Sequence, residues 1–194
     1  MKIHRSIGLA TALTLVALPL QAQERWTVEF TGGAAAPTGD LGELGLNTGL
    51  AFGASLGAQV MPHLAVYGGW DWVHFSSDEV VGGELDVEET GYALGLRFQH
   101  PLRGEEGFPQ VRVQAAATYK HIEVEDDEGE VVTDSDHGVG WEAGAGLVLP
   151  LGERWMLTPM LRYRSLSRDL DLGPGAAEVE LQYLTFEVGA SLRF

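Results

Sequence analysis

The 194-residue chain has no cysteine, and its 12 Lys and Arg residues are few beside 28 Asp and Glu residues. Without cysteine, a disulfide scaffold, a thiolate zinc site and a cysteine nucleophile are all excluded. The formal net charge of −16 excludes a nucleic-acid partner, because such binding depends on Lys and Arg that neutralise phosphates. A chain of this length suffices for one domain with a sizeable core and is too short for two typical ones.

Long hydrophobic runs are also scarce, and the one present lies at the N-terminus. Lys2 and Arg5 precede an uncharged run from Ile7 to Leu20, which is shorter than the ~20 residues that a helix needs to cross a bilayer. Ala22 then provides a small residue at a cleavage position. The pattern predicts a secretory signal peptide over residues 1–22 rather than a membrane anchor, and a mature domain over residues 23–194. Cleavage would remove two positive charges and make the net charge −18.

Beyond residue 22 the apolar residues recur at every second position. Many of the 26 glycines lie inside these segments, where each would cost a helix about 1 kcal/mol. The alternation therefore predicts strands. Eight segments follow, at approximately 25–35, 48–60, 64–76, 87–99, 110–122, 138–149, 154–166 and 180–194.

The two faces of these strands differ sharply in composition. In the second segment Leu50, Phe52 and Leu56 share one face, while Gly53 and Gly57 share the other. A soluble lipocalin-like barrel or a sandwich would place the apolar face inside. An outer-membrane barrel would turn it toward lipid and fill its lumen with the polar face. The many glycines and alanines of the polar face favour a crowded lumen, and hence the second arrangement.

Charges on the polar face support the same orientation because acids and bases are nearly balanced there, although the chain as a whole is acidic. Buried charges have to be paired. We therefore expect an ion-pair network in the lumen, made by Glu29, Asp71, Glu142, Glu187, Arg97, Arg112, Lys120, Arg162, Arg164 and Arg193.

Aromatic residues on the apolar face collect near the strand ends, as in the girdles at the two interfaces of a membrane. One predicted ring contains Trp70, Trp72, Tyr92, Tyr119, Trp141 and Tyr163. The other contains Trp26, Phe98, Trp155 and Phe194.

The connections alternate between short and long. Shorter links follow the second, fourth and sixth segments, whereas 36–47, 77–86, 123–137 and 167–179 are longer or more acidic. Short periplasmic turns and long extracellular loops give this rhythm. Twenty of the 28 acids, Glu88 and Glu89 among them, are expected at the long-loop end.

These features together resemble the OmpA/OmpX-type outer-membrane β-barrels, which are small and eight-stranded. The residues that carry the resemblance are 64–72 (LAVYGGWDW), the C-terminal stretch from Ser191 to Phe194, and the signal peptide. The link from His100 to Pro109 is longer than a typical turn of the family. The resemblance implies an all-β, transmembrane, eight-stranded antiparallel up-and-down barrel in the outer membrane. It also implies that Phe194 acts as the signal for the outer-membrane assembly machinery.

The resemblance does not fix a function, because this fold has several unrelated activities. Eight strands leave an interior just wide enough for side chains. We therefore expect a non-enzymatic barrel without a cofactor, in contact with lipid and lipopolysaccharide, that serves envelope structure or surface interaction. A narrow solute channel, a soluble lipocalin-like carrier and an outer-membrane lipid A deacylase-like hydrolase are the alternatives.

Two short motifs suggest other chemistry. The acidic run 125–130 can attract divalent cations, although it lacks EF-hand spacing. His74 and Ser76 share a strand face near Glu88, which faintly resembles the His-x-Ser arrangement of the outer-membrane lipid A deacylases. We expect the acidic run to be a solvated loop. We expect His74 and Ser76 to anchor the loop that follows them. His100, His121 and His137 are scattered along the sequence and predict no metal cluster.

Overall fold

The computed structural model describes residues 25–38, 46–77, 85–103, 108–126, 131–171 and 176–194. The described chain forms nine strands. They are β1 (Trp26–Thr38), β2 (Gly49–Met61), β3 (Leu64–Ser76), β4 (Leu85–Pro101), β5 (Gln110–Asp126), β6 (Val131–Asp134), β7 (Gly138–Pro150), β8 (Trp155–Asp171) and β9 (Ala176–Arg193). No helix in this part of the chain has the length and hydropathy of a membrane span.

Eight of the strands close into a barrel, and β6 pairs outside it with the end of β5. Each barrel strand pairs antiparallel with its neighbours, and β1 pairs with β9. At the seam Trp26 N donates to Phe194 O at 3.0 Å, and Phe194 N donates to Trp26 O at 2.9 Å. The predicted eight-stranded up-and-down barrel is therefore confirmed.

The apolar face of the strands is the outside of the barrel. Leu94 on β4 is 66% exposed, and Phe52 on β2 is half exposed. The alternate positions point inward, where Glu29, Arg112 and Lys120 are buried. A soluble lipocalin-like barrel has the reverse arrangement, so that alternative is wrong. An exterior of Leu, Val, Phe and Trp is stable against hydrocarbon and not against water.

Glycines on the inner face allow strands to approach where a larger residue would not fit. A Cβ atom on Gly33 would overlap the carbonyl oxygen of Phe186, and one on Gly95 would overlap that of Ala115. The high glycine content therefore follows from close packing between neighbouring strands.

Five strands are longer than predicted at the long-loop end of the barrel, and the extensions of β5, β8 and β9 are the largest. β5 continues to Asp126, β8 continues to Asp171, and β9 begins at Ala176. Much of the sequence expected to be loop is therefore ladder, including Val131–Asp134 of β6. The expected loops 123–137 and 167–179 are wrong to that extent. The ladder continues through these acidic segments, and in β5 Ile122 and Val124 pack in or against the apolar cluster on the inner face.

The opposite end of the barrel has the turns predicted to be short, and we call it the short-turn end. Pro62 and His63 join β2 to β3, with His63 in the left-handed region at φ 72°. Residues 151–154 join β7 to β8. The link between β4 and β5 is longer, and its two sides are joined by a hydrogen bond from Leu102 N to Pro109 O at 3.0 Å.

The orientation of the wall can be tested by charging its exterior at two heights. Leu94→Arg places a guanidinium in mid-wall and should lower the free energy of unfolding by about 2–4 kcal/mol. Val131→Arg makes the same change on β6, beyond the wall, and should cost less than about 1 kcal/mol. Urea unfolding in phospholipid vesicles measures both. Equal, small costs would show that the exterior does not contact hydrocarbon.

Candidate functional site

The barrel lumen holds ten buried charged side chains among the residues that the structure describes. Five are acidic and five are basic, so that the interior is neutral overall. They are Glu29, Asp71, Glu89, Glu142, Glu187, Arg97, Arg112, Lys120, Arg162 and Arg164.

Nearest the short-turn end, two arginines share one carboxylate. Arg112 Nη1 lies 2.6 Å from Glu29 Oε2, and Arg97 Nη2 lies 3.1 Å from Glu29 Oε1. The Nε atom of Arg97 donates to Gln114 Oε1 at 3.2 Å, and its Nη2 donates to the Ser55 hydroxyl at 3.3 Å. Charge-assisted hydrogen bonds of this kind are the stronger ones and hold both guanidinium groups in place.

In the middle of the lumen, two further arginines bridge two carboxylates. Arg162 lies 3.4 Å from Glu142 and 2.9 Å from Glu187. Arg164 lies 3.1 Å from Glu142 and 3.4 Å from Glu187. Tyr67 donates its hydroxyl to Glu142 Oε1 at 2.9 Å. These groups connect strands on opposite sides of the barrel.

Toward the long-loop end, Lys120 pairs with Asp71 and with Glu89 Oε1, the second pair at 2.7 Å. Arg164 also reaches Asp71 Oδ1 at 3.2 Å and thereby joins this layer to the middle one. Tyr183 donates to Glu89 Oε1 at 2.7 Å. Each of these acids is therefore matched by at least one basic group.

On the long-loop side of the ion pairs, an apolar cluster closes the lumen. Phe75 packs edge-on against Tyr183, with ring centroids 5.3 Å apart. The cluster consists of Ala35, Ala51, Val73, Phe75, Ile122, Leu166, Leu181 and Tyr183. Its buried members all come from the wall strands, and Leu46 packs against them. Side chains of the described wall therefore close this end of the lumen.

Little space remains inside. A cavity of about 180 Å³ opens at the short-turn end and is lined by His63, Arg97, Gln99 and Arg193, among others. The cavity in the middle of the lumen, beside Tyr67 and the central ion pairs, has a volume of only about 20 Å³. That volume holds about one water molecule.

Nine of the ten residues expected in the lumen lie buried within it. Arg193 is instead half-buried at the mouth, where its Nη2 atom approaches Met156 Sδ at 3.4 Å. Sequence reasoning missed Glu89, Tyr67 and Tyr183. Glu89 was expected at the acidic rim, and that expectation is wrong because it has the inward parity of Arg97 on the same strand. The inward parity of β4, followed from Arg97 to the acidic end of the strand, assigns Glu89 to the lumen.

The predicted girdle residues all lie on the outer face. Trp26, Trp70, Tyr92, Phe98, Tyr119, Trp141, Trp155 and Phe194 are exposed. The other two are half-buried by neighbours. Trp72 stacks on Phe52 with centroids 6.0 Å apart, and Tyr163 lies 5.4 Å from Trp141.

The His74 motif has the geometry of an anchor. His74 Nδ1 lies 3.2 Å from Glu88 Oε1, as expected, but its Nε2 lies 3.7 Å from Asp86. Trp72 Nε1 donates to Glu88 Oε2 at 3.0 Å. Because a carboxylate faces each imidazole nitrogen, neither is directed at Ser76 as a general base would be.

Two of the histidines expected to be scattered lie together. The rings of His121 and His137 stack with centroids 4.3 Å apart, so the expectation of dispersed histidines is wrong for this pair. Sequence separation conceals the contact because β5 and β7 are neighbours in the wall. Of the acidic run 125–130, residues 127–130 lie outside the described part of the chain.

Comparison with known proteins identifies what this architecture is. A family model described as "Outer membrane protein beta-barrel domain" matches residues 8–194. Among curated proteins no sequence matches.

Solved structures of similar fold include Neisserial surface protein A, with 12% identity and a TM-score of 0.64 over 87% of this chain and 97% of that one. OprG from Pseudomonas aeruginosa has 11% identity and a TM-score of 0.58, over 88% and 97% of the two chains. Ail, the attachment invasion locus protein of Yersinia pestis, has 14% identity and a TM-score of 0.50 over the same shares. At these identities the likeness concerns the fold.

The lumen network can be tested at Arg164, which contacts Asp71, Glu142 and Glu187. Arg164→Met leaves buried carboxylates short of a partner and should cost about 3–5 kcal/mol of unfolding free energy. Arg193→Met at the mouth should cost less than about 1 kcal/mol, since a partly exposed arginine is solvated. Urea titrations followed by heat-modifiable gel mobility measure both. Similar costs at the two positions would contradict an ion-paired core.

Proposed function

The chain belongs to the outer-membrane protein β-barrel family, and on that premise we propose that it is a non-conducting, non-enzymatic barrel of the outer membrane. Its role is to support envelope structure and to present an acidic surface outside the cell. Outer-membrane lipid and lipopolysaccharide surround it. Its short-turn end faces the periplasm and its long-loop end faces outward, as in other bacterial barrels.

The observation that carries the non-conducting part is the filled lumen. A solute would have to cross the apolar cluster that contains Phe75 and Leu181. It would then meet the ion pairs around Glu142 and Arg162, where the cavity of about 20 Å³ leaves room for about one water molecule. The narrow-channel alternative requires both layers to move together.

The non-enzymatic part is supported by the surroundings of His74. Its two nitrogens face Glu88 and Asp86, so the histidine is held in place instead of activating Ser76. The resemblance to lipid A deacylases therefore does not extend to a nucleophile paired with its base.

An interaction with cations and lipopolysaccharide is supported by the outer face just beyond the aromatic girdle that contains Tyr92 and Tyr119, on its long-loop side. Glu88 lies directly across from Glu123, and Asp86 lies across from Glu125. Like charges directly opposite one another destabilise an antiparallel pair. Divalent cations that bridge these carboxylates to lipopolysaccharide phosphates would relieve the repulsion and fix the barrel in its leaflet.

Export and assembly complete the proposal. Residues 1–22 direct secretion and are removed, although they lie outside the described residues. Phe194, exposed at the end of β9 and hydrogen-bonded to Trp26 across the seam, serves as the recognition residue for the assembly machinery.

Conduction can be measured in planar bilayers. The wild-type barrel should give no stepwise current, because the apolar and charged layers both obstruct the lumen. Arg162→Ser combined with Glu187→Ser removes one central ion pair without changing the net charge. Combined with Phe75→Ala, which opens the apolar cluster as well, this control variant should leak measurably, and its current shows that inserted protein is detectable. Well-resolved current steps from the wild-type barrel would contradict the proposal.

Cation binding at the outer face can be followed by calcium titration with residue-resolved NMR in nanodiscs that contain lipopolysaccharide. Saturable shifts should appear around Asp86, Glu88 and Glu125. Glu88→Gln should weaken them several-fold because it removes one of the opposed charges. Glu153→Gln, an exposed acid in a short turn at the other end, should change nothing. The absence of saturable shifts would reject this part.

A further inference from the structure

Two imidazoles and two carboxylates lie close together on the outer face of the wall, just beyond the girdle that contains Tyr119, on its long-loop side. His121 and Glu123 project from the same side of β5, one and two outward positions beyond the girdle residue Tyr119. Asp134 ends β6 and pairs with Glu123 across the ladder. His137 lies in the link from β6 to β7. We call these four residues the His121 cluster, defined as His121, Glu123, Asp134 and His137.

Distances within the cluster match those between ligands of one small cation. His121 Nε2 lies 3.5 Å from Glu123 Oε1, and its Nδ1 lies 3.5 Å from Asp134 Oδ1. One donor atom from each of these three residues lies within 4.8 Å of the others. Ligands of a tetrahedral ion with bonds of about 2.0–2.2 Å lie about 3.4 Å apart. Because an imidazole gives one ion only one nitrogen, His121 would present either Nδ1 or Nε2, and the carboxylate that faces its other nitrogen would rotate toward the ion.

A second imidazole, that of His137, lies beside these three residues. The ring of His137 stacks on His121 at 4.3 Å and lies 5.1 Å from Tyr119. His137 is exposed, so its side chain can rotate to direct a nitrogen toward the same point. A set of two nitrogens and two carboxylate oxygens suits zinc and neighbouring transition metals better than calcium or magnesium, which prefer oxygen ligands alone.

The charges around the cluster favour a cation. Glu88, Glu123 and Glu125 also bring one oxygen each within 4.8 Å of one another. Lys120, the basic neighbour on β5, points into the lumen and is paired there with Asp71 and Glu89. Among the outward side chains that the structure describes here, the partners of these carboxylates are the imidazoles of His74 and His121 and the indole of Trp72.

We propose that His121, His137, Glu123 and Asp134 form a binding site for a zinc-class transition-metal dication on the outer face of the barrel. The site would tie β6 to the wall. Three ladder pairs join β6 to β5, and their register is interrupted next to Glu125. The metal adds a cross-link that joins this hairpin to β5 and to the start of β7. This inference does not depend on whether the lumen conducts, and it shares only Glu123 with the proposed cation and lipopolysaccharide interaction.

The test uses the full mature barrel, refolded in detergent micelles without a histidine tag. Co²⁺ serves as the spectroscopic probe and Zn²⁺ as its competitor, with calorimetry to give the stoichiometry. We expect one Zn²⁺ per barrel. We also expect visible absorption bands typical of Co²⁺ with a low coordination number. His121→Gln and His137→Gln should each weaken binding at least tenfold, while heat-modifiable mobility shows that both variants fold.

A matched control is available at the other end of the barrel. The rings of His63 and His100 also lie close, at 4.9 Å between centroids, but this pair has no carboxylate among its described partners. His63→Gln combined with His100→Gln should leave Zn²⁺ binding unchanged. Imidazole NMR signals of His121 and His137 should shift on Zn²⁺ addition, and amide exchange in β6 should slow.

Three results would overturn the proposal. The first is the absence of saturable Zn²⁺ binding by the folded barrel. The second is equal affinity of wild type and His121→Gln. The third is an equal loss in the His63 and His100 control, which would indicate non-specific histidine binding. Because each readout is a direct measurement of binding, failure here would leave the proposed envelope function untouched.

Discussion

Charge neutrality inside a narrow barrel is the constraint on which this structure depends. Eight strands enclose a space that side chains fill, and a buried charge without a partner costs several kcal/mol. Five acids and five bases occupy that space and are joined by ion pairs. Arg164 connects the middle layer to Asp71 above it, so the strands that carry these groups are held in one register. The polar interior is therefore the core of the protein, whereas the core of a soluble barrel consists of apolar side chains.

The same inversion determines how the exterior can act. Because the wall is covered with Leu, Val, Phe and Trp, its outer face is available to lipid and to little else. Polar recognition is then confined to the ends. At the long-loop end the ladders of β4, β5 and β6 extend beyond the girdle and place Glu88, Glu123 and Asp134 in lateral register. A surface with such an excess of carboxylates favours cations, whether these are shared with lipopolysaccharide phosphates or held by the His121 cluster.

Residue parity was sufficient to predict the strands, the closed barrel and most of the lumen, since a period of two assigns each side chain to a face. The prediction was wrong at positions where local acidic composition was given more weight than parity. Glu89 was expected at the rim because acids crowd that region, although its parity with Arg97 places it inside. Composition also concealed the extensions of β5 and β8.

The contact of His121 with His137 depends on β5 and β7 being neighbours and on β6 leaving the wall between them. No local sequence pattern contains that information. Arg193 has the inward parity but lies at the mouth, where the depth of the lumen decides whether a charge is paired.

A double-mutant cycle on Glu29 and Arg112 tests the paired-charge core most directly. The two side chains are buried, and Arg112 Nη1 lies 2.6 Å from Glu29 Oε2. Unfolding free energies in lipid vesicles are measured for wild type, Glu29→Gln, Arg112→Met and the double variant. If the lumen is held by mutual neutralisation, each single change costs about 3–5 kcal/mol, and the double change costs markedly less than their sum. Costs that add to within about 0.5 kcal/mol would show that the two charges do not depend on each other and would contradict the account.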